Sequence, residues 1–159
     1  VVTQWALGKM IVSDELERLN FDVVHGFLTT AYWSVGVSRE LVERAARHSV
    51  PFGVYDDGAQ VGYARVVTDR TRFAYLADVF VLPTHRGRGL GALLLSCVLE
   101  HPELRDVRRF LLVTTDAHGL YERFGFTALT RPEKYMERLR HPGTSDDAEA
   151  AGRPDGSAG

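Results

Sequence analysis

Two hydrophobic periods alternate along this chain, and their order predicts a mixed α/β architecture. Residues 1 to about 8 carry no clear pattern, and residues 9–12 read as a first strand. Val23, Val24, Phe27, Leu28, Ala31 and Tyr32 then share one face of a helix that Asp22 caps and Gly36 breaks. Ser38 caps a second helix, whose inner stripe is Leu41, Val42, Ala45 and Ala46. After Pro51 the period changes from 3.6 to two. Residues 52–55, 59–68 and 73–82 are strands, joined by the turn Asp56-Asp57-Gly58 and by the polar residues 69–72. Short turns make this an antiparallel meander.

Pro83 ends the third meander strand because it cannot donate to a ladder. Arg86, Gly87, Arg88, Gly89, Leu90 and Gly91 form a basic, glycine-rich loop. Leu90, Leu93, Leu94, Cys97 and Val98 line one face of the helix that follows, which His101 and Pro102 close. Residues 109–114 are the next strand, parallel to the previous one because a helix joins them. Asp116 caps a short helix ended by Gly125. Residues 126–129 form a further strand, and residues 134–139 are read as the last one. From His141 onward the composition turns to Gly, Pro, Ser, Ala and acids. The expected organisation is one domain over residues 1–140 and a disordered tail over 141–159.

A glycine turn opening a helix presents unpaired N–H groups at the positive end of the helix dipole, a place for phosphate. Three loop types compete for it. A nucleotide P-loop ends in Gly-Lys-Ser/Thr, which is absent. A dinucleotide fingerprint is formally met by Gly87, Gly89 and Ala92, but four residues, Pro83, Thr84, His85 and Arg86, separate the strand from its glycines. The third type fits best. Arg86-x-x-Gly89-x-Gly91 after Val-x-Pro, with an amphipathic helix behind it, resembles the acetyl-CoA loop of the GNAT superfamily of acyl-CoA-dependent N-acetyltransferases. A second stretch, from Ala117 through Leu120, Tyr121 and Glu122 to Gly125 and Phe126, resembles that family's other signature. The resemblance covers roughly residues 9 to 139.

The resemblance implies a GNAT-like fold: a mixed sheet with helices on both faces, an antiparallel meander and then a parallel β-α-β unit. The sheet would splay between the strand before the loop and the strand after its helix, and the acyl-pantetheine arm would lie in the split. It implies that Arg86, Gly87, Arg88, Gly89, Leu90 and Gly91 bind the CoA pyrophosphate. Val79 and Val81 would hold pantetheine through backbone contacts, and an N–H near Val81, at a bulge, would face the thioester oxygen. Where the family often has an Asn as a CoA contact, this chain has Thr114, which keeps a hydrogen-bonding group. Tyr121 matches the residue that protonates the leaving thiolate; a phenol of pKa ~10 can serve a thiolate of pKa ~8.5. On its residue type alone it reads equally as a packing tyrosine.

Asp78 is the first candidate for the base that frees the amine, since an acid in an apolar strand faces a cavity or a partner. A structural carboxylate is the alternative. His118 reads as an exposed histidine. Tyr32 and Trp33 lie where the family sets acceptor specificity and are candidates for substrate binding, or for anchors at the core edge. Asp56 and Asp57 read as turn residues.

Composition narrows the partners. With 159 residues, 45% apolar and 25% charged, and net charge −2, the chain suits one soluble domain without a global nucleic-acid signal. One cysteine excludes an internal disulfide, and no metal is expected. No apolar run approaches a membrane span and no signal pattern is seen, so the expected location is the cytoplasm. The expected activity is transfer of acetyl from acetyl-CoA to a primary amine of a small molecule or peptide. A non-catalytic acyl-CoA sensor is the alternative, with a dinucleotide-binding protein behind both. The family is often dimeric through its C-terminal strands, which makes a homodimer one of the expected assemblies.

Overall fold

The computed structural model describes residues 1–140; the tail expected at 141–159 lies outside the described residues. A six-stranded mixed sheet runs in the order β1 (Gln4–Leu7), β2 (Met10–Ser13), β3 (Val50–Asp56), β4 (Ala59–Thr68), β5 (Phe73–Val81) and β6 (Arg109–Leu112). All neighbours are antiparallel except β5 and β6. Helices α1 (Phe21–Leu28) and α2 (Arg39–Arg47) precede β3, α3 (Leu90–Glu100) links β5 to β6, and α4 (His118–Glu122) follows.

The alternation of strand residues builds two cores. Phe52, Val54, Ala64 and Val66 pack with Leu94, Cys97 and Val98 of α3. Tyr63 and Phe80 pack with Val24 and Leu28 of α1 and Val42 and Ala46 of α2. Each fully buried Val, Leu or Phe contributes about 1.5–3 kcal/mol, so each layer adds substantially to the stability of the meander between them.

Four expectations are corrected. The first strand is a hairpin, β1–β2, turned at Gly8 and Lys9; β1 is mostly exposed and shows no alternation to read. Helix α1 is capped by Asn20, whose side chain accepts from the Asp22 and Val23 N–H groups; Asp22 pairs instead with Arg39. It stops at Leu28, short of Tyr32, because hydroxyls intercept its last carbonyls: Thr30 Oγ1 donates to Phe27 O at 2.9 Å and Ser34 Oγ to Leu28 O at 2.6 Å. No strand forms at 126–129 or 134–139. Phe126 instead closes α4, its N–H on Tyr121 O at 3.2 Å and its ring against Phe110, and residues 132–134 make a short 3-10 turn with Pro132 at its start.

A buried polar clamp ties the β1–β2 hairpin to the end of α3. His101, 2% exposed, takes the Glu103 N–H on Nδ1 at 3.1 Å, so its proton sits on Nε2 and is donated to Asp14 Oδ2 at 2.8 Å. Asp14 Oδ1 accepts from the Thr3 N–H at 2.7 Å. Replacing His101 by Ala strands the Asp14 carboxylate, and we expect a loss of about 2 kcal/mol, seen as roughly 4–8 °C in a thermal melt. A melt within 1 °C of wild type would show that the clamp carries no stability.

Candidate active site

The sheet comes apart where the sequence expected it to. β5 pairs with β6 from Phe73↔Arg109 to Leu76↔Leu112 and no further, while β5 itself continues to Val81. Residues 77–81 therefore have no strand partner on the β6 side. A narrow apolar crevice lies beside this stretch on the α3 side of the sheet, lined by Leu76 and Val79 of β5, Gly91 and Leu94 of α3, and Leu120 and Tyr121 of α4.

The bulge lies two to three residues before Val81. Tyr63 pairs with Phe80 and Arg65 with Ala77, which leaves Asp78 and Val79 opposite Ala64 alone. Asp78 takes φ 55° there, a conformation L-residues rarely adopt. Its side chain over-determines that geometry. Oδ1 accepts from Trp33 Nε1 at 3.0 Å and Oδ2 from Arg65 Nε at 2.6 Å. Arg65 also donates to Ser49 Oγ at 3.2 Å. Asp78 thus pins the loop between α1 and α2 onto the bulge.

That loop brings the two aromatic residues to the same place. The Tyr32 ring meets Trp33 edge-on at 5.1 Å, and its hydroxyl donates to Thr115 Oγ1 at 3.0 Å on the far side of the gap. Phe27, next to Trp33, stacks on Phe80 of β5 at 4.1 Å. Sequence reading missed Arg65 and Thr115. For Arg65 the available signal was a lone cation within an apolar strand, which needs a partner for the same reason Asp78 does.

The glycine loop has the form an anion site needs. Gly87 and Gly89 stand at φ 78° and 75°, and a Cβ at either would meet nothing within 4 Å. Gly89 is the N-cap of α3, whose first turn carries no acidic side chain. Leu90 is buried in the core, so it offers the loop only its N–H. Arg86 folds back, Nε donating to Val81 O at 3.0 Å, and ties the loop to the end of β5. Arg88 is exposed.

Tyr121 is 8% exposed and packs edge-on against Phe126 at 5.9 Å, a contact that does not use its hydroxyl. Burial, with smaller contributions from Tyr32 and Asp116, raises its pKa above the ordinary phenol value, so it is a proton donor throughout the neutral range. Thr114 accepts the Ala117 N–H on Oγ1 at 3.0 Å in the turn before α4; Ala117, not the expected Asp116, stands at the N-cap, and no side chain caps the helix. Burial pushes the Cys97 thiol up to about 11, which leaves no thiolate nucleophile here. Among the described residues, no group of three or more metal-ligating acidic, His or Cys side chains assembles.

Four comparisons bear on this site. A profile of the Acetyltransferase (GNAT) family matches residues 15–126. A candidate acetyltransferase of Gibberella zeae is 29% identical, over 74% of this chain and 78% of its own. A GNAT-family candidate acetyltransferase from Xanthomonas campestris pv. campestris is 45% identical, with TM-score 0.81 over 85% of this chain and 96% of its own. A candidate acetyltransferase from Clostridium acetobutylicum, solved with acetyl-CoA, shares the fold at 12% identity and TM-score 0.59, over 87% of this chain and 96% of its own.

Proposed function

The chain belongs to the GNAT family of acetyltransferases, and on that premise we propose that it moves the acetyl group of acetyl-CoA to a primary amine of a small molecule or peptide, by direct attack. The observation that carries this reading is the interrupted pairing of β5 with β6, which leaves open backbone groups on an apolar crevice that begins beside the glycine loop and contains Tyr121.

The residues fit the ligand. The left-handed glycines with open space above them, and the first-turn amides of α3, suit a pyrophosphate. Arg86, Gly87, Arg88, Gly89, Leu90 and Gly91 are assigned to it, and Val79 and Val81 to the pantetheine amides. Acetyl-CoA supplies the activated acyl group; the protein supplies position and proton traffic. The open edge of β5 offers N–H groups to the thioester oxygen as charge grows on it. Tyr121 passes its proton to the departing sulfur. Asp78 stands between the bulge and the aromatic loop, each oxygen accepting one bond and keeping capacity for another, and receives the proton of the acceptor ammonium. Tyr32 and Trp33 line the acceptor side. Thr114 contributes a contact near CoA through what remains of its hydroxyl capacity.

A thermal-shift series with acetyl-CoA, CoA, NADP and ATP at equal concentration tests the ligand, because a ligand bound only by the folded state raises the melting temperature. Stabilisation by both CoA species and not by NADP is expected; a shift with NADP alone would sink the assignment. Thiol release with a panel of primary amines then separates an enzyme from a non-catalytic sensor. No helix of the described residues is long and apolar enough to cross a membrane; the cytoplasm is the proposed location.

We extend the reading to a homodimer. Among the described residues β6 pairs on one side only, and Tyr135, Met136 and Leu139 are exposed beyond it. The Arg109 guanidinium lies 5.9 Å over the Tyr135 ring, which sets that segment beside β6. Sedimentation should give a dimer, and Met136→Asp a monomer. A monomeric wild type at 100 μM would dismiss it.

A further inference from the structure

We propose that Asp56 is a positioning residue for the glycine loop: acting through His85, it fixes the turn that leads into the glycines and so supports binding of a pyrophosphate ligand it does not touch. The inference rests on the reading of that loop as the CoA site. Asp56 ends β3, next to the Asp57-Gly58 turn, and from sequence it reads as a turn residue only. The structure carries its carboxylate elsewhere. Oδ2 lies 3.1 Å from His85 Nε2 and 3.9 Å from an Arg88 terminal nitrogen. The other ring nitrogen of His85, Nδ1, meets Thr84 Oγ1 at 2.8 Å. Both nitrogens are engaged, so the ring cannot turn without breaking a bond. His85 in turn closes the short turn Pro83–His85, its N–H on Leu82 O at 2.9 Å.

The loop needs such a hold. Two of the residues after His85, Gly87 and Gly89, are left-handed glycines with no side chain and open space around them. Glycine loses more freedom on ordering than any other residue, so a loop of this kind keeps its shape only through its anchors. Arg86 anchors it to β5 and α3 anchors its far end. Asp56 is the anchor from β3, a strand the ligand reading does not otherwise involve. Its charge works the other way. A carboxylate this close to a pyrophosphate site repels the ligand, and it competes with that ligand for Arg88. Positioning and repulsion have opposite signs, so their balance is measurable.

The test compares wild type, Asp56→Ala and Asp56→Asn in the full chain by calorimetric titration with acetyl-CoA. The amide oxygen of Asn still accepts from His85 Nε2. If Asp56 positions the loop, the Ala variant binds about tenfold more weakly and the Asn variant stays within about twofold of wild type. In turnover the loss appears in KM for acetyl-CoA and not in kcat. Equal or tighter binding by Ala would overturn the proposal, as would Asn failing as badly as Ala, since geometry would then not be the cause. Hydrogen exchange at the amides of His85 and Arg86, which donate to Leu82 O and Pro83 O in the turn that His85 closes, gives an independent reading without ligand. It should accelerate at least fivefold in the Ala variant, and unchanged exchange refutes the link. Because that measurement needs no CoA, a wild type that takes no acetyl-CoA would count against the ligand reading and leave the Asp56 anchor to be decided by exchange.

Discussion

Glutamate in place of Gly89 should abolish the stabilisation by acetyl-CoA and CoA that is proposed for the wild type. Two effects combine. Gly89 sits at φ 75°, where an L-residue costs roughly 1–2 kcal/mol, a strain that appears as a lower melting temperature without ligand. A Cβ there meets no atom within 4 Å, so the side chain is not forced to clash and the chain folds. The carboxylate then occupies the positive end of α3, where the pyrophosphate is assigned. Two unit charges about 4 Å apart repel by ~1 kcal/mol in water and ~4 kcal/mol at the effective dielectric of a protein surface. The repulsion predicts a loss of affinity on the order of 10–10³-fold. Gly89→Ala separates the two effects, since it carries the strain without the charge: it should melt lower without ligand and keep affinity within about threefold of wild type. If the glutamate variant is still stabilised by CoA, the phosphate site lies elsewhere.

Phenylalanine in place of Tyr121 should cut turnover by about 10²-fold while acetyl-CoA affinity changes by less than twofold. The ring packs against Phe126 and lines the crevice, and phenylalanine reproduces both contacts, so neither fold nor ligand pocket should suffer. What disappears is the proton. General acid catalysis typically contributes 10²–10⁴-fold, and burial keeps this phenol protonated beyond its ordinary pKa of 10.0. The sign follows: wild-type turnover should hold through neutral pH and fall only above pH 10 as the phenol ionises, and the variant should lack that fall. Single-turnover rates across pH decide it. Unchanged turnover would remove Tyr121 from the chemistry.

Wherever side-chain period and punctuation act locally, the fold was legible. The Asp57-Gly58 turn, the meander of β3 to β5, Pro83 and the stripe of α3 all stand where the pattern placed them. Strand β1 gives no readable alternation, because only Trp5 turns to the core while Gln4, Ala6 and Leu7 are exposed. Helix α1 ended early because Thr30 and Ser34 compete for carbonyls, an effect set by rotamers and not by apolar period. The strands expected at 126–129 and 134–139 do not form because Phe126 is drawn into the close of α4 and residues 132–134 turn at Pro132, contacts that the apolar period does not announce. Within the candidate site, residues grouped by motif could be named from the sequence. Residues joined only in space were not: Arg65 and Thr115 are 13 and 83 positions from the partners they bind, and Asp56 is 29 from His85.

The gap between β5 and β6 also bears on how this protein avoids sticking to itself. Unpaired strand edges are templates for aggregation, and residues 77–81 are such an edge. Here it is bent at Asp78 and walled by Leu94 of α3 and Leu120 and Tyr121 of α4. A flat polypeptide strand brings side chains on both faces, which those walls oppose. The acyl-pantetheine arm proposed for this site is slender and carries amides without side chains, so on that proposal the same walls act as a sieve, closed to other strands and open to the ligand.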